Sequence, residues 1–134
     1  MQELKRRPKK TEAEKLSESV YVRMSNADYE AFYKIAISRR LPVALLAVTL
    51  LAEKKCFVNK VSDDEYEELL SRPEMMQNVQ QNFRKEERHI IACRMTKEDK
   101  KSLTYQAVIK KHCAPTILVN SIITEVIKNA TKQK

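Results

Sequence analysis

The same order of features occurs twice in this chain, 71 residues apart, and this repeat limits the fold more than any other property of the sequence. Residues 20–25 read VYVRMS and residues 91–96 read IACRMT. Each is a short run of the type found in strands, and each ends in a hydroxyl residue with an aspartate three positions later. A hydroxyl at that spacing accepts a backbone N–H from the first turn of a helix. Both strands are therefore predicted to run directly into a helix.

A pair of helices is predicted after each strand. The first helix has an apolar stripe at helical spacing, which is weaker in the second copy. The stripe positions are Tyr29, Phe32, Tyr33, Ala36 and Ile37 in copy one, and Lys100, Leu103, Thr104, Ala107 and Val108 in copy two. Each stripe ends at a basic pair followed by a proline, Pro42 or Pro115, which is predicted to lie in the first turn of a second, strongly apolar helix. The turn between the helices is two residues longer in copy two.

One strand–helix–helix unit of about 40 residues cannot bury enough apolar surface to fold alone, and a single strand leaves its backbone N–H and C=O groups without partners. Both problems are solved if the two strands pair antiparallel and four helices pack beneath them. At 134 residues the chain has room for one ordinary domain. The sequence therefore predicts a mainly α fold with a short two-stranded antiparallel ribbon, near residues 19–25 and 90–96, in which the tandem copies form one intramolecular pseudo-dimer.

The net charge of +8 and the pI near 9.4 indicate a polyanionic partner, either nucleic acid or an anionic membrane surface. The charge is distributed unevenly over four segments. Residues 1–18 (+2) are expected to form a basic, disordered arm, and residues 19–55 (+3) form the first repeat. Residues 56–88 (−3) form an acidic, partly helical connector, and residues 89–134 (+6) form the second repeat. Two basic blocks are thus separated by an acidic one.

The connector carries two helix signals. In SDDEYEELL, Ser62 is a predicted N-cap with acids in the first turn that follows. The stretch PEMMQNVQQNFRKEER, from Pro73, predicts a second helix. We interpret the connector as a bridge between the copies. The alternative is a docking surface, for which the apolar candidates are Met75, Met76, Val79 and Phe83.

Several chemistries are disfavoured by composition. The absence of glycine excludes glycine-rich phosphate loops and nucleophile elbows. Neither histidine has a Cys, Asp or His at ligand spacing, which disfavours a zinc site or a histidine-based triad. The three cysteines lack metal-like spacing and are interpreted as small apolar residues in a reducing cytosol. No stretch approaches the roughly 18 apolar residues of a membrane span. The chain is expected to be a cytoplasmic binding protein, not an enzyme, without metal, cofactor or membrane partner.

The repeated pattern resembles the ribbon-helix-helix family, the MetJ/Arc class of DNA-binding proteins. Four features carry the resemblance over residues 19–55 and 89–130: a strand with an arginine near its end, an immediate capped helix, an alanine late in that helix (Ala36, Ala107), and a turn into a hydrophobic second helix. Members of the family are usually homodimers, and a tandem form in one chain resembles the TraY-type proteins that bind plasmid transfer origins. The family often has a glycine between the helices, so its absence here leaves the conformation of that turn open.

The resemblance implies a binding surface. In the family, a two-stranded ribbon enters the major groove and its outward side chains read base edges. Alternation along the strands places Val20, Val22, Met24, Ile91, Cys93 and Met95 inward, and the base-reading positions Ser19, Tyr21, Arg23, Ile90, Ala92 and Arg94 outward. The start of the second helix anchors DNA phosphates, and the matching residues are Val43, Ala44, Thr116 and Ile117, with Arg39, Arg40, Lys110 and Lys111 adding charge. The alternative interpretation of these basic residues is ordinary solvated charge.

The expected function is therefore sequence-specific binding of double-stranded DNA, as a relaxosome accessory protein at a transfer origin or as a transcriptional repressor. Further copies of the chain on adjacent sites, and a relaxase or other transfer protein, are the other expected partners. The alternative is an antitoxin-like protein-interaction module, which is disfavoured because only KNATKQK follows the second helix. RNA ranks third, because the narrow major groove of its A-form helix would not admit the ribbon.

Overall fold

The computed structural model describes residues 16–76 and 88–132. Over these residues the fold is mainly α, with five helices and one two-stranded antiparallel sheet. The elements in chain order are β1 (Glu18–Ser25), α1 (Asn26–Ser38), α2 (Val43–Glu53), α3 (Asp63–Leu70), a 3₁₀ turn (Pro73–Met76), β2 (Arg88–Met95), α4 (Lys97–Tyr105), a π-helical turn (Gln106–Lys110) and α5 (Pro115–Lys132).

The predicted pairing of the two strands is confirmed. β1 and β2 run antiparallel with Val20 opposite Cys93, Tyr21 opposite Ala92 and Val22 opposite Ile91. β1 begins at Glu18, so the last residue of the predicted basic arm belongs to the strand. Residues 1–15, which make up most of the arm that was predicted to be disordered, lie outside the described part of the chain.

Both strands pass into a helix through the predicted hydroxyl cap. The Ser25 side chain accepts a hydrogen bond from the backbone N–H of Asp28 at 3.2 Å, and Thr96 accepts one from Asp99 at 3.1 Å. The two caps share nearly the same extended backbone, with φ, ψ of −71°, 165° and −74°, 164°. The same local chemistry therefore makes the same turn twice.

The chain makes its helix-ending turns without glycine. Arg40, Lys55 and His112 take positive φ values of 59°, 60° and 55°. At Arg40 the turn is closed by hydrogen bonds from Leu41 N–H to Ala36 O and from Arg40 N–H to Ile37 O, both 3.0 Å. This bonding satisfies carbonyls at the end of α1, and the Cβ atom makes the conformation costly by about 1–2 kcal/mol. The open question about the turn is thus answered by strained, non-glycine residues.

The two predicted helix-starting prolines occupy different positions. Pro115 is the first residue of α5, as predicted, whereas Pro42 is the N-cap of α2 with an extended backbone. Part of the extra length of copy two lies at the end of its first helix and not in the turn between the helices. The chain widens into a π turn at Gln106–Lys110, where Lys111 N–H bonds Gln106 O at 3.1 Å. A π turn accommodates one extra residue without breaking the helix.

The core lies beneath the ribbon, and the predicted inward face of the strands is confirmed. All six inward residues, Val20, Val22, Met24, Ile91, Cys93 and Met95, are buried. They pack on fully buried side chains of the helices, chiefly Phe32, Leu46, Leu51, Leu103 and Ile123. α2 packs against β2, and α5 packs against β1. Each strand is therefore covered by the second helix of the other repeat.

The described part of the connector is packed against α4. The Ser62 cap of α3 is confirmed and forms a reciprocal capping box with Glu65. Leu69 and Val61 form a second buried cluster with Val108. Of the second predicted helix, only the 3₁₀ turn falls in the described residues. Residues 77–87, which include the docking candidates Val79 and Phe83, lie outside them. Of the other two, Met75 packs against the cluster and Met76 is exposed.

Polar contacts fix the connector as well. The buried Ser102 hydroxyl donates to Cys56 O at 2.7 Å and accepts from Asn59 N–H at 2.9 Å. Lys101, only 5% exposed, forms ion pairs with Asp63 and, at 3.5 Å, with Glu98. The first helix of copy two thus buries polar groups under the connector, which explains its weak apolar stripe.

No single helix in the described ranges has the length and apolar composition of a membrane span, and only α1 and α2 together, bent by 79°, meet those two criteria.

Candidate nucleic-acid interface

Six side chains project from the solvent side of the sheet, and we call this surface the ribbon face. It consists of three cross-strand pairs, Ser19–Arg94, Tyr21–Ala92 and Arg23–Ile90. Tyr21 is 62% exposed and Ile90 is 59% exposed, both arginines are exposed, and Ser19 and Ala92 are half-buried. The predicted outward placement of all six residues is therefore confirmed, while their contact with bases stays a prediction.

The two arginines stand at diagonal corners of the ribbon face. Arg94 lies opposite Ser19, and Arg23 lies four residues further along the same strand. At a rise of about 3.4 Å per residue, the two corners are about 14 Å apart along the ribbon. Arg94 Nη2 also donates to the backbone carbonyl of Leu16 at 3.2 Å, so the chain just before β1 holds this side chain.

The start of α5 lies beside β1. Thr116 Oγ1 donates to Tyr21 O at 2.8 Å, and Asn120 Nδ2 donates to Arg23 O at 3.5 Å. Thr116 and Ile117 are half-buried, and the Ile117 N–H donates to Ala114 O at 3.0 Å. The helix terminus predicted to meet phosphates is thus placed at the edge of the ribbon face.

The start of α2 lacks the hydroxyl cap found on α1 and α4. Its N-cap is Pro42, which makes no side-chain cap hydrogen bond. Val43 and Ala44 in its first turn are half-buried, and the helix packs against β2. The N–H groups of a first turn have no partners within the helix, so they carry the partial positive charge of the helix dipole.

The four predicted basic residues near these termini are all exposed. Arg39 pairs with Glu53 at 2.7 Å, with both side chains partly exposed. An exposed pair of this kind contributes little to stability and can be exchanged for another anion. Arg40 holds the left-handed turn before α2, and Lys110 and Lys111 lie at the end of the π turn.

Three positioning residues were not predicted from the sequence. Asn120 contacts β1 as described, and Lys100 Nζ donates to Ser19 O at 3.3 Å. His89 contacts Asn26 Oδ1 and stacks on Tyr29, with ring centroids 4.2 Å apart and 12° between the planes. The polar Asn120 inside the apolar run ILVNSII was the one available signal. The other two depend on contacts across 63 or more residues.

The cysteines match their interpretation as apolar residues. Cys93 is fully buried and burial raises its pKa to about 12. Burial also raises the pKa of Cys56 and of the half-buried Cys113. A thiol with a raised pKa is a poor nucleophile and a poor metal ligand near neutral pH.

The ribbon face offers two guanidinium groups, a phenol and apolar side chains on two hydrogen-bonded strands that are packed on the core. Each guanidinium group can donate two hydrogen bonds to a pair of acceptor atoms, and the apolar side chains can cover a thymine methyl group. Comparison with protein families, with curated proteins and with solved structures found no match to this chain.

Proposed function

We propose that this chain binds double-stranded DNA in a sequence-specific manner, by inserting the ribbon face into the major groove. The observation that carries the proposal is the placement of Arg23 and Arg94 on one exposed, two-stranded face of a protein with a net charge of +8. Arginine donates two hydrogen bonds to the O6 and N7 atoms of guanine, and positive charge attracts the phosphate backbone.

The dimensions of the ribbon suit that groove. Two paired strands lie about 4.8 Å apart, and a major groove about 12 Å wide admits a two-stranded ribbon with its side chains. The spacing of about 14 Å between the arginine corners corresponds to roughly four base pairs at 3.4 Å per step. Each arginine would then meet a separate base pair near one end of a short site.

We infer further that the chain is a tandem ribbon-helix-helix protein folded as an intramolecular pseudo-dimer. The sequence repeat relates Val20 to Ile91 and Val22 to Cys93, and the strand register exchanges those partners, as a two-fold axis requires. The pair Tyr21–Ala92 lies on that axis. The exchange of covering helices between the halves supports the same arrangement. These features agree with the resemblance to the MetJ/Arc class.

Within this function we favour a DNA-transfer role, as an accessory protein that prepares a transfer origin for a relaxase. The tandem form in one chain, which resembles TraY-type proteins, supports this choice. A transcriptional repressor uses the same physical contacts with DNA. The location of the binding site, at a transfer origin or in a promoter, distinguishes the two roles.

The experiment is to incubate the purified protein with fragmented plasmid and chromosomal DNA, and to sequence the retained fragments. The proposal predicts enrichment of one short motif, located at a nick site for a transfer protein or in a promoter for a repressor. Retention without any shared motif would contradict sequence-specific binding. A variant in which Arg23 and Arg94 are both alanine is the control, since it should lose the motif.

A further inference from the structure

The outer edge of β1 is held by side chains of two helices. In an antiparallel pair, every second residue of a strand turns its backbone C=O group away from the partner strand. On β1 the carbonyl groups of Ser19, Tyr21 and Arg23 each accept a hydrogen bond from a helix side chain. The donors, in the same order, are Lys100 at 3.3 Å, Thr116 at 2.8 Å and Asn120 at 3.5 Å. The base-reading residues of β1 are thus tied to α4 and α5 through their own backbone.

The repeat does not supply the same donors beside β2. When the longer turn of copy two is allowed for, Thr116 and Asn120 correspond to Val43 and Ala47 of α2. Neither of these two side chains has a polar atom that could donate a hydrogen bond. α2 nevertheless packs against β2 as α5 packs against β1. Two related helices therefore cover two related strands, but only α5 carries side-chain donors at these positions.

The two arginines of the ribbon face are consequently positioned by different means. Asn120 holds the backbone of Arg23, whereas Arg94 is held through its side chain, by the hydrogen bond from Nη2 to Leu16 O. A guanidinium group must give up such a side-chain contact if it turns to a base. A contact to the backbone carbonyl stays in place while the side chain reads a base.

We propose that Thr116, together with Asn120, determines how strictly Tyr21 and Arg23 discriminate between bases, because these two residues fix the outer edge of β1. The inference rests on the proposed binding of DNA by the ribbon face. A pair of hydrogen bonds to guanine depends on the distance and the angle of both bonds. Attraction to phosphates depends on charge and tolerates a small displacement of the strand. Thr116 and Asn120 are therefore positioning residues that act through β1.

The two contacts differ in strength. The Thr116 hydrogen bond, at 2.8 Å, has the usual length for a hydroxyl donor, whereas 3.5 Å for Asn120 is long for an amide donor. Both side chains are half-buried, so water competes only partly for these carbonyl groups. Removal of the Thr116 hydroxyl is accordingly expected to have the larger effect.

The test is Thr116→Val, which removes the hydroxyl and keeps the branched shape. Fluorescence anisotropy compares the duplex that carries the enriched motif with two others, in which the guanine at the Arg23 end or at the Arg94 end is replaced by adenine. Discrimination should fall by about three- to tenfold at the Arg23 end and stay unchanged at the Arg94 end. Asn120→Leu should give a smaller loss at the same end.

Two matched variants complete the design. Thr116→Ser keeps the hydroxyl and should discriminate like the parent, and Val43→Ala changes the equivalent position on α2 and should leave discrimination at the Arg23 end unchanged. If Thr116 only stabilised the fold, Thr116→Val would lower the melting temperature or weaken binding to all three duplexes alike, with unchanged ratios between them. Unchanged ratios, or an equal loss at both ends, would overturn the proposal.

A measurement without DNA separates this proposal from the proposed function. NMR relaxation of the free protein should show that Thr116→Val lowers the backbone order parameter at Tyr21 and leaves that of Ala92 unchanged. An unchanged value at Tyr21 would overturn the positioning role even if the ribbon face binds DNA. A parent protein that selects no sequence would instead overturn the proposed function, while the order parameters would still report whether Thr116 holds β1.

Discussion

At the scale of single residues, the middle of the ribbon face is unsymmetrical. Tyr21 faces Ala92, so one large ring occupies a position where two identical chains would place two identical residues. Ser19 and Ile90, which the repeat relates, also differ, and only the two arginines match. A phenol can donate or accept a hydrogen bond, whereas alanine and isoleucine offer apolar surface suited to a thymine methyl group.

The chain is therefore predicted to select a short, non-palindromic site. Tyr21→Ala should remove most of the preference at the central base pairs, about 1–2 kcal/mol, and should make the selected sequence more symmetric. Tyr21→Phe is the matched variant that separates the ring from its hydroxyl. Selection from random duplexes measures all three proteins, and a perfect inverted repeat selected by one chain of the parent would contradict the prediction.

The left-handed residues store strain that a glycine would relieve. Lys55, two residues after the end of α2, has a φ of 60°, while its neighbour Lys54, the C-cap of that helix, has a φ of −87°. Lys55→Gly is expected to raise the free energy of unfolding by about 1 kcal/mol, because a Cβ atom is costly in this conformation. Lys54→Gly should lower it by about 0.5–1 kcal/mol, since glycine only adds freedom to the unfolded chain there. Urea denaturation compares the two, and equal effects would contradict the assignment.

At the scale of elements, α4 is stabilised on two sides. Its inner side holds Leu103 in the core, and its outer side carries Lys101 and Ser102 under the connector. The hydrogen bond from Lys101 holds the pKa of Asp63 below its usual range and raises the pKa of Lys101 itself. This contact links the connector to the helix through one exposed and one buried charge.

A pH dependence follows from the Asp63 contact. A carboxylate whose pKa is lowered by folding adds stability above its unfolded pKa of about 3.9, and that stability is lost as the pH falls through the lower, folded value. Asp63→Asn should therefore be less stable than the parent at pH 6, and the difference should shrink below about pH 4. Asp64→Asn, one residue further into the same first turn, is the control. Thermal unfolding at several pH values measures the effect, and a difference independent of pH would contradict it.

The sequence predicted elements whose signals are local. The hydroxyl caps of Ser25 and Thr96, the alternation along both strands and the Ser62 capping box each depend on residues within a few positions. The sequence did not predict the π turn at Gln106–Lys110 or the packing of the connector, because these depend on contacts such as Ser102 with Cys56, 46 residues apart. The outward face of the strands could be predicted from alternation alone. The hydrogen bond from Arg94 to Leu16 O could not, because it joins residues 78 positions apart.

At the scale of the whole molecule, the two halves of the chain complete each other. β1 needs β2 for its hydrogen bonds and α5 for its inner cover, and β2 needs α2 in the same way. The ribbon therefore rests on a core to which both halves of the chain contribute. Alanine substitutions on the ribbon face remove exposed groups and should leave that core intact, so their effects on binding can be separated from folding.

The most direct test of the central claim measures affinity for a selected duplex by fluorescence anisotropy, comparing the parent with the Arg23→Ala, Arg94→Ala double variant. Arg72→Ala, on the connector, is the matched control. If each arginine reads a guanine, the double variant should lose about 2–6 kcal/mol, from 1–3 kcal/mol per contact, with an unchanged melting temperature, and the control should bind like the parent. If the double variant binds the selected duplex as tightly as the parent, the ribbon face is not the DNA-reading surface.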